Sequence, residues 1–151
     1  MPDLRVGDPL PDSTFIGPAG ELKIRDRIGK ALVIYFYPQD ETYGCTIEAC
    51  GFRDQYQSFM DAGAEVIGVS RDDTASHEKF KTNHRLPFTL LTDPGGKVAQ
   101  TWGVKPYLGL AGRVTFVFDK TGKLAHKFES RIRFGKHIDE ALKVVRELAK
   151  S

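Results

Sequence analysis

The chain has 151 residues, enough for one domain with a packed core. Lys plus Arg number 22 and Asp plus Glu 20, a net charge of +2, which argues against nucleic acid or an anionic membrane as the partner. Two cysteines are too few for a disulfide scaffold, and no run approaches the roughly 18 apolar residues of a membrane span, so a cytosolic protein with reduced thiols is expected.

Residues 1–15 carry Asp3, Arg5, Asp8 and Asp12 and no apolar stretch of leader length, so no signal peptide is expected. Residues 31–37 form a continuous apolar run rich in β-branched and aromatic side chains, which predicts a strand covered on both faces. Ala49, Phe52, Tyr56 and Phe59 recur at helical spacing and predict a helix over 49–60, ended by Gly63. A second buried strand is expected over 65–70. Asp73 and Thr74 are suited to cap a short helix running to Thr82.

Residues 88–92 read as a short strand before the Asp-Pro-Gly-Gly turn at 93–96, and 97–102 as one or two helical turns. The pattern then changes. Residues 114–118 and 124–128 are strand-like runs flanking Asp119-Lys120-Thr121-Gly122, the spacing of an antiparallel hairpin. A final helix over 136–149 carries Ile138, Leu142, Val145, Leu148 and Ala149 on one face. The order β-α-β-α-β, hairpin, helix predicts an α/β domain spanning 1–151, a mixed central sheet with helices on both faces. No internal repeat or linker interrupts it.

The chemistry concentrates at Cys45 and Cys50, the only cysteines. Cys45 falls where a strand ends and a helix begins. Helix N-termini offer unpaired N–H groups and partial positive charge, which favour a thiolate over a thiol. Five helical residues rise about 7.5 Å and turn about 500°, setting the two Cα atoms roughly 8.6 Å apart. A disulfide requires less than about 7 Å. The pair therefore bonds only if the helix start unwinds. Spacing alone leaves three readings open: a redox pair, inert core thiols, or part of a metal site. Zinc usually takes four ligands, and His77, His84, His126 and His137 show no ligand spacing.

The flanking residues narrow the choice. Pro38, Thr42 and Cys45 match the Pro-x-x-x-Thr-x-x-Cys signature of peroxiredoxins. Cys45-Thr46-Ile47-Glu48-Ala49-Cys50 resembles the motif of the Q-type branch, the bacterioferritin comigratory proteins, and Gly51-Phe52-Arg53-Asp54 continues it. The strands at 66–70 and 88–93 resemble family strands, and 113–119 resembles the segment bearing the active-site arginine. The likeness covers essentially the whole chain.

That resemblance implies a thioredoxin-like fold and a peroxidase needing no metal, haem or flavin. Cys45 is then the peroxidatic nucleophile toward hydrogen peroxide or organic hydroperoxides. Cys50 is the resolving thiol that closes an intrachain disulfide, reduced in turn by thioredoxin or a glutaredoxin-like dithiol protein. Arg113 is expected to stabilise the thiolate and the leaving oxygen. Thr42 is expected to hydrogen-bond the thiolate or the peroxide, and Pro38 to limit water. Glu48 either orients an arginine or holds the helix start. The branch implies a monomer, with a dimer as the alternative.

Two departures from the family pattern bear on access: Tyr43 stands where proline is usual, and the stretch 104–112 is short. Two other functions compete, a redox sensor that oxidises without turnover and a general disulfide exchanger. Trp102 and the aromatic set Tyr35, Phe36, Phe52, Tyr56 and Phe59 read as core. The basic stretch from Lys123 to Lys136 reads as a solvated face, since Glu129, Asp139 and Glu140 lie close by.

Overall fold

A computed structural model describes residues 4–106 and 112–150. Seven strands form one mixed sheet, β1 (Thr14–Gly17), β2 (Gly20–Lys23), β3 (Ala31–Phe36), β4 (Ala64–Ser70), β5 (Thr89–Thr92), β6 (Val114–Phe118) and β7 (Leu124–Glu129), in the order β2-β1-β5-β4-β3-β6-β7. β3 is an inner strand and is buried along its whole length, which is why its sequence is apolar without alternation. It pairs parallel with β4 and antiparallel with β6. Phe36 lies opposite both Val69 and Val114, so the chain leaving β3 runs out beside Arg113, the residue just ahead of β6. The expected hairpin is β6–β7.

One face of the sheet carries α1 (Tyr43–Asp54), α2 (Tyr56–Asp61), α3 (Thr74–His84) and α5 (Phe134–Ala149), packed on Val33, Tyr35, Tyr37, Val66 and Leu90. The other face, built on Leu32, Ile34, Phe36, Ile67 and Phe116, is covered by α4 (Lys97–Thr101), Trp102 and the N-terminal residues Leu10, Phe15 and Ile24. Trp102 is fully buried and donates its indole N–H to Ser13 Oγ at 3.0 Å. No helix among the described residues is long and apolar enough to cross a membrane.

Four details differ from the sequence reading. An N-terminal hairpin, β1–β2, adds two strands at the sheet edge. The helix expected over 49–60 begins earlier, at Tyr43, and breaks at Gln55 (φ −102°, ψ 8°) into α1 and α2. Phe52 and Phe59 continue to pack across that break, with ring centroids 5.6 Å apart. α3 continues past Thr82 to His84 and ends at Arg85, whose φ of 52° is left-handed. The final helix also starts earlier, at Phe134.

Two glycines set how closely α1 and α5 approach. Gly44 and Gly51 lie seven residues apart, two turns, on one face of α1. A Cβ on Gly44 would sit 2.5 Å from Phe134 Cζ, and one on Gly51 would sit 2.9 Å from Ile138 Cδ1. Any larger side chain at either position would have to displace the Phe134 ring or the Ile138 side chain.

Candidate active site

Thr42 is the N-cap of α1, in extended conformation, and its carbonyl accepts the first helical bond from Thr46 N at 2.9 Å. The first turn, Tyr43-Gly44-Cys45-Thr46, holds no acidic side chain. Its N–H groups and the positive end of the helix dipole therefore face no protein carboxylate from that turn. Cys45 is buried, 1% exposed, on the face of α1 that also carries Glu48, Ala49 and Phe52. Phe52 stacks on Tyr35 at 4.5 Å and seats this face against the sheet.

Arg113 meets that face from just ahead of β6. Its Nη2 donates to Cys45 Sγ at 3.4 Å and its Nη1 to Glu48 Oε1 at 2.7 Å. The guanidinium also lies over the Phe134 ring, 4.8 Å from the centroid. Burial works against the Arg113 cation, but Glu48 and Cys45 outweigh it and hold it above its ordinary value. Glu48 is fully buried, and burial raises it to about 7 although Arg113 pulls it down. The two partners thus differ: the arginine is firmly charged, whereas the desolvated carboxylate titrates near neutrality.

Glu48 Oε2 makes no hydrogen bond among the described residues; His137 Nδ1 lies 3.5 Å away. His137 Nε2 faces the Ser130 carbonyl at 2.8 Å, and its Nδ1 accepts from the Thr115 hydroxyl at 2.7 Å. Burial lowers His137 to about 4, the Ser130 carbonyl pulls it up and the Arg113 charge lowers it further, so the ring is neutral at pH 7.

A second buried cluster holds the loop before α1. Asp40 accepts from the Tyr37 hydroxyl (2.6 Å), the Ser76 hydroxyl (2.8 Å) and His77 Nδ1 (2.7 Å), while Asp40 N donates to Asp72 (2.8 Å). His77 Nε2 lies 3.0 Å from the Leu91 carbonyl, so each ring nitrogen faces an acceptor. The next residue, Glu41, has a φ of 60°, uncommon for a side chain with a Cβ. Asn83 and His84 hold its carboxylate.

The expected residues therefore meet, with qualifications. Cys45 and Arg113 are in contact. Cys50 lies half-buried in α1 with Cys45, both are free thiols, and helical geometry keeps them too far apart to bond. The Thr42 hydroxyl donates to the Gln39 carbonyl at 2.9 Å, so its proton is not given to Cys45 and only its acceptor lone pairs remain for a ligand. Pro38 is half-buried in the same loop. Tyr43 is 82% exposed and stands in solvent. Of the short stretch 104–112, residues 107–111 lie outside the described residues. Glu48 takes the arginine-holding role. Sequence reasoning missed Asp40, His77, His137 and Phe134, whose partners lie far along the chain; no local spacing marks them.

The AhpC/TSA family model matches residues 6–127. A peroxiredoxin Q, chloroplastic, from Oryza sativa subsp. japonica is 52% identical over 122 residues, 80% of this chain and 56% of the relative. The chain thus spans little more than half the length of the first curated relatives it matches. The crystal structure of peroxidoxin BcpB from Mycobacterium tuberculosis superposes with a TM-score of 0.87 at 33% identity, covering 95% of this chain and 97% of that one. A Xanthomonas campestris bacterioferritin comigratory protein, described in connection with alkyl peroxide reduction and a trapped intermediate, gives a TM-score of 0.83 at 29% identity and covers 97% of this chain and 98% of that one.

Proposed function

The chain belongs to the AhpC/TSA family and has a thioredoxin-like fold, and on that premise we propose that it is a thiol-dependent peroxidase for hydrogen peroxide and alkyl hydroperoxides. The observation that carries this reading is the 3.4 Å contact between Arg113 Nη2 and Cys45 Sγ at the start of a helix. A buried sulfur that faces a guanidinium at a helix start has fixed positive charge beside it when it reacts.

The Cys45 thiolate attacks the terminal peroxide oxygen. An S–O bond forms as the O–O bond breaks, and the leaving hydroxide or alkoxide takes a proton to become water or alcohol. Arg113 and the α1 N–H groups face the charge as it moves from sulfur to oxygen. Thr42 accepts a hydrogen bond from the peroxide O–H through its lone pairs, and Pro38 shields the sulfur from water. The first turns of α1 then unwind. The Cys50 thiol attacks the Cys45 sulfenic acid, water leaves, and an intrachain disulfide forms. A dithiol protein such as thioredoxin, or a glutaredoxin-like protein, returns two electrons by disulfide exchange.

A single chain supplies Cys45, Cys50, Thr42 and Arg113, which supports a monomer as the working unit. The need for a dithiol donor supports the cytosol, or an equally reducing compartment, as its place. Steady-state turnover of hydrogen peroxide with thioredoxin and its reductase tests the reading. Sustained turnover supports it. One oxidation event without turnover would favour a redox sensor, and reduction of insulin without peroxide would favour a disulfide exchanger.

A further inference from the structure

Arg113 is held by few contacts for a residue in its position. Nη1 is tied to Glu48 and Nη2 reaches Cys45, but Nε has no hydrogen-bond partner among the described residues. Two hydrogen bonds at one end of a guanidinium leave its tilt open. The guanidinium carbon lies over the Phe134 ring, 4.8 Å from its centroid, the distance of a cation–π contact. The same ring closes on the first turn of α1, where the space above Gly44 admits no Cβ and Arg113 Nη2 itself would lie 3.1 Å from one. Phe134 is the first residue of α5 and is half-buried. Its ring bridges the arginine and the backbone just before Cys45.

We propose that Phe134 is a positioning residue of the peroxide step: its ring clamps the Arg113 guanidinium toward Cys45 and braces the first turn of α1 until the disulfide forms. The proposal rests on the peroxidase reading above. Two consequences follow, and they run in opposite directions. Loss of the ring face frees the arginine and slows attack on peroxide. Loss of the contact with Gly44 removes a brace that the intact helix has and the disulfide form must give up, so disulfide closure becomes faster.

Three variants separate the effects. Phe134→Tyr keeps the ring, Phe134→Leu keeps apolar bulk without a π face, and Phe134→Ala removes both. Reduced proteins are mixed with stoichiometric hydrogen peroxide by stopped flow. Sulfenic acid and disulfide are then quantified by quenching with dimedone or iodoacetamide and mass spectrometry. Leu is expected to slow sulfenic acid formation about tenfold, a partly desolvated cation–π contact converted to rate. Tyr is expected to stay close to wild type. Ala is expected to show the same slow first step with a faster second one. In an Arg113→Gln background the Phe134→Leu loss should vanish, because the ring acts through the arginine.

Wild-type speed in Leu, equal slowing in Tyr and Leu, or a full Leu loss in the Arg113→Gln background would each overturn the clamp. The ring-current shift of the Arg113 Nε–H resonance tests it without peroxide. That shift should persist in Tyr and disappear in Leu; its persistence in Leu would overturn the clamp as well. A wild-type protein no faster than a free thiol would refute the peroxidase reading, and the resonance would still decide the clamp.

Discussion

Replacing Glu48 by Gln should change how stability depends on pH. The wild-type carboxyl is fully buried, and burial raises it from 4.5 to about 7. Between those values the folded state holds a proton that the unfolded chain has released. Stability contributed by the neutral acid is therefore fully present below about pH 4.5, declines as pH rises, and is gone above about pH 7. At about 1.4 kcal/mol per pH unit, the span amounts to about 3 kcal/mol. Gln keeps an oxygen for Arg113 Nη1 and cannot ionise. The unfolding free energy of Glu48→Gln minus that of wild type should thus rise by about 3 kcal/mol from pH 4.5 to pH 7.5. The difference cancels the titrating groups that do not interact with Glu48. Urea unfolding of the reduced proteins at half-unit pH steps measures it, with two-state behaviour checked by two probes. A difference that stays flat within about 0.5 kcal/mol, or that shrinks as pH rises, would refute the burial argument.

Arg113→Lys loses the fork that reaches Glu48 and Cys45 together. Loss of a charge-assisted bond of about 1.5–3 kcal/mol should slow single-turnover peroxide consumption by about 10- to 150-fold, and an unchanged rate would dismiss the contact. His77→Leu leaves the buried Asp40 carboxylate short of one donor and should lower unfolding free energy by about 3 kcal/mol or more, read by urea denaturation. Tyr43 stands in solvent, yet Tyr43→Pro should shift the ratio of rates for bulky and small hydroperoxides; a constant ratio would rule out any gating by its phenol.

The parts legible in the sequence were those with local signals. β3 showed itself as an unbroken apolar run because it lies between two strands and under two layers. The β6–β7 hairpin showed itself through its turn residues. β1 and β2 did not, because each has four residues and β2 is mostly exposed, so neither builds a clear alternation. The break at Gln55 is invisible because Phe52, Tyr56 and Phe59 keep helical spacing straight through it.

The site divides the same way. Cys45 and Cys50 are neighbours in one helix, and their motif is local. Arg113 lies 68 positions from Cys45, and only family resemblance brought it to the site. The Asp40–His77 pair spans 37 positions, and Phe134 reaches Gly44 from another helix. Such contacts follow from register and helix packing, which one sequence does not display. Thr42 shows a further limit: its type and place were readable, but the direction of its hydroxyl proton was not.

Stopped-flow consumption of stoichiometric hydrogen peroxide by the reduced protein, with Cys45→Ser and Cys50→Ser alongside, addresses the assignment of Cys45 most directly. Wild type and Cys50→Ser should consume peroxide far faster than a free thiol, Cys45→Ser should not, and only wild type should end as an intrachain disulfide. Fast consumption by Cys45→Ser, or wild-type consumption no faster than a free thiol, would mean that the sulfur facing Arg113 is not the nucleophile.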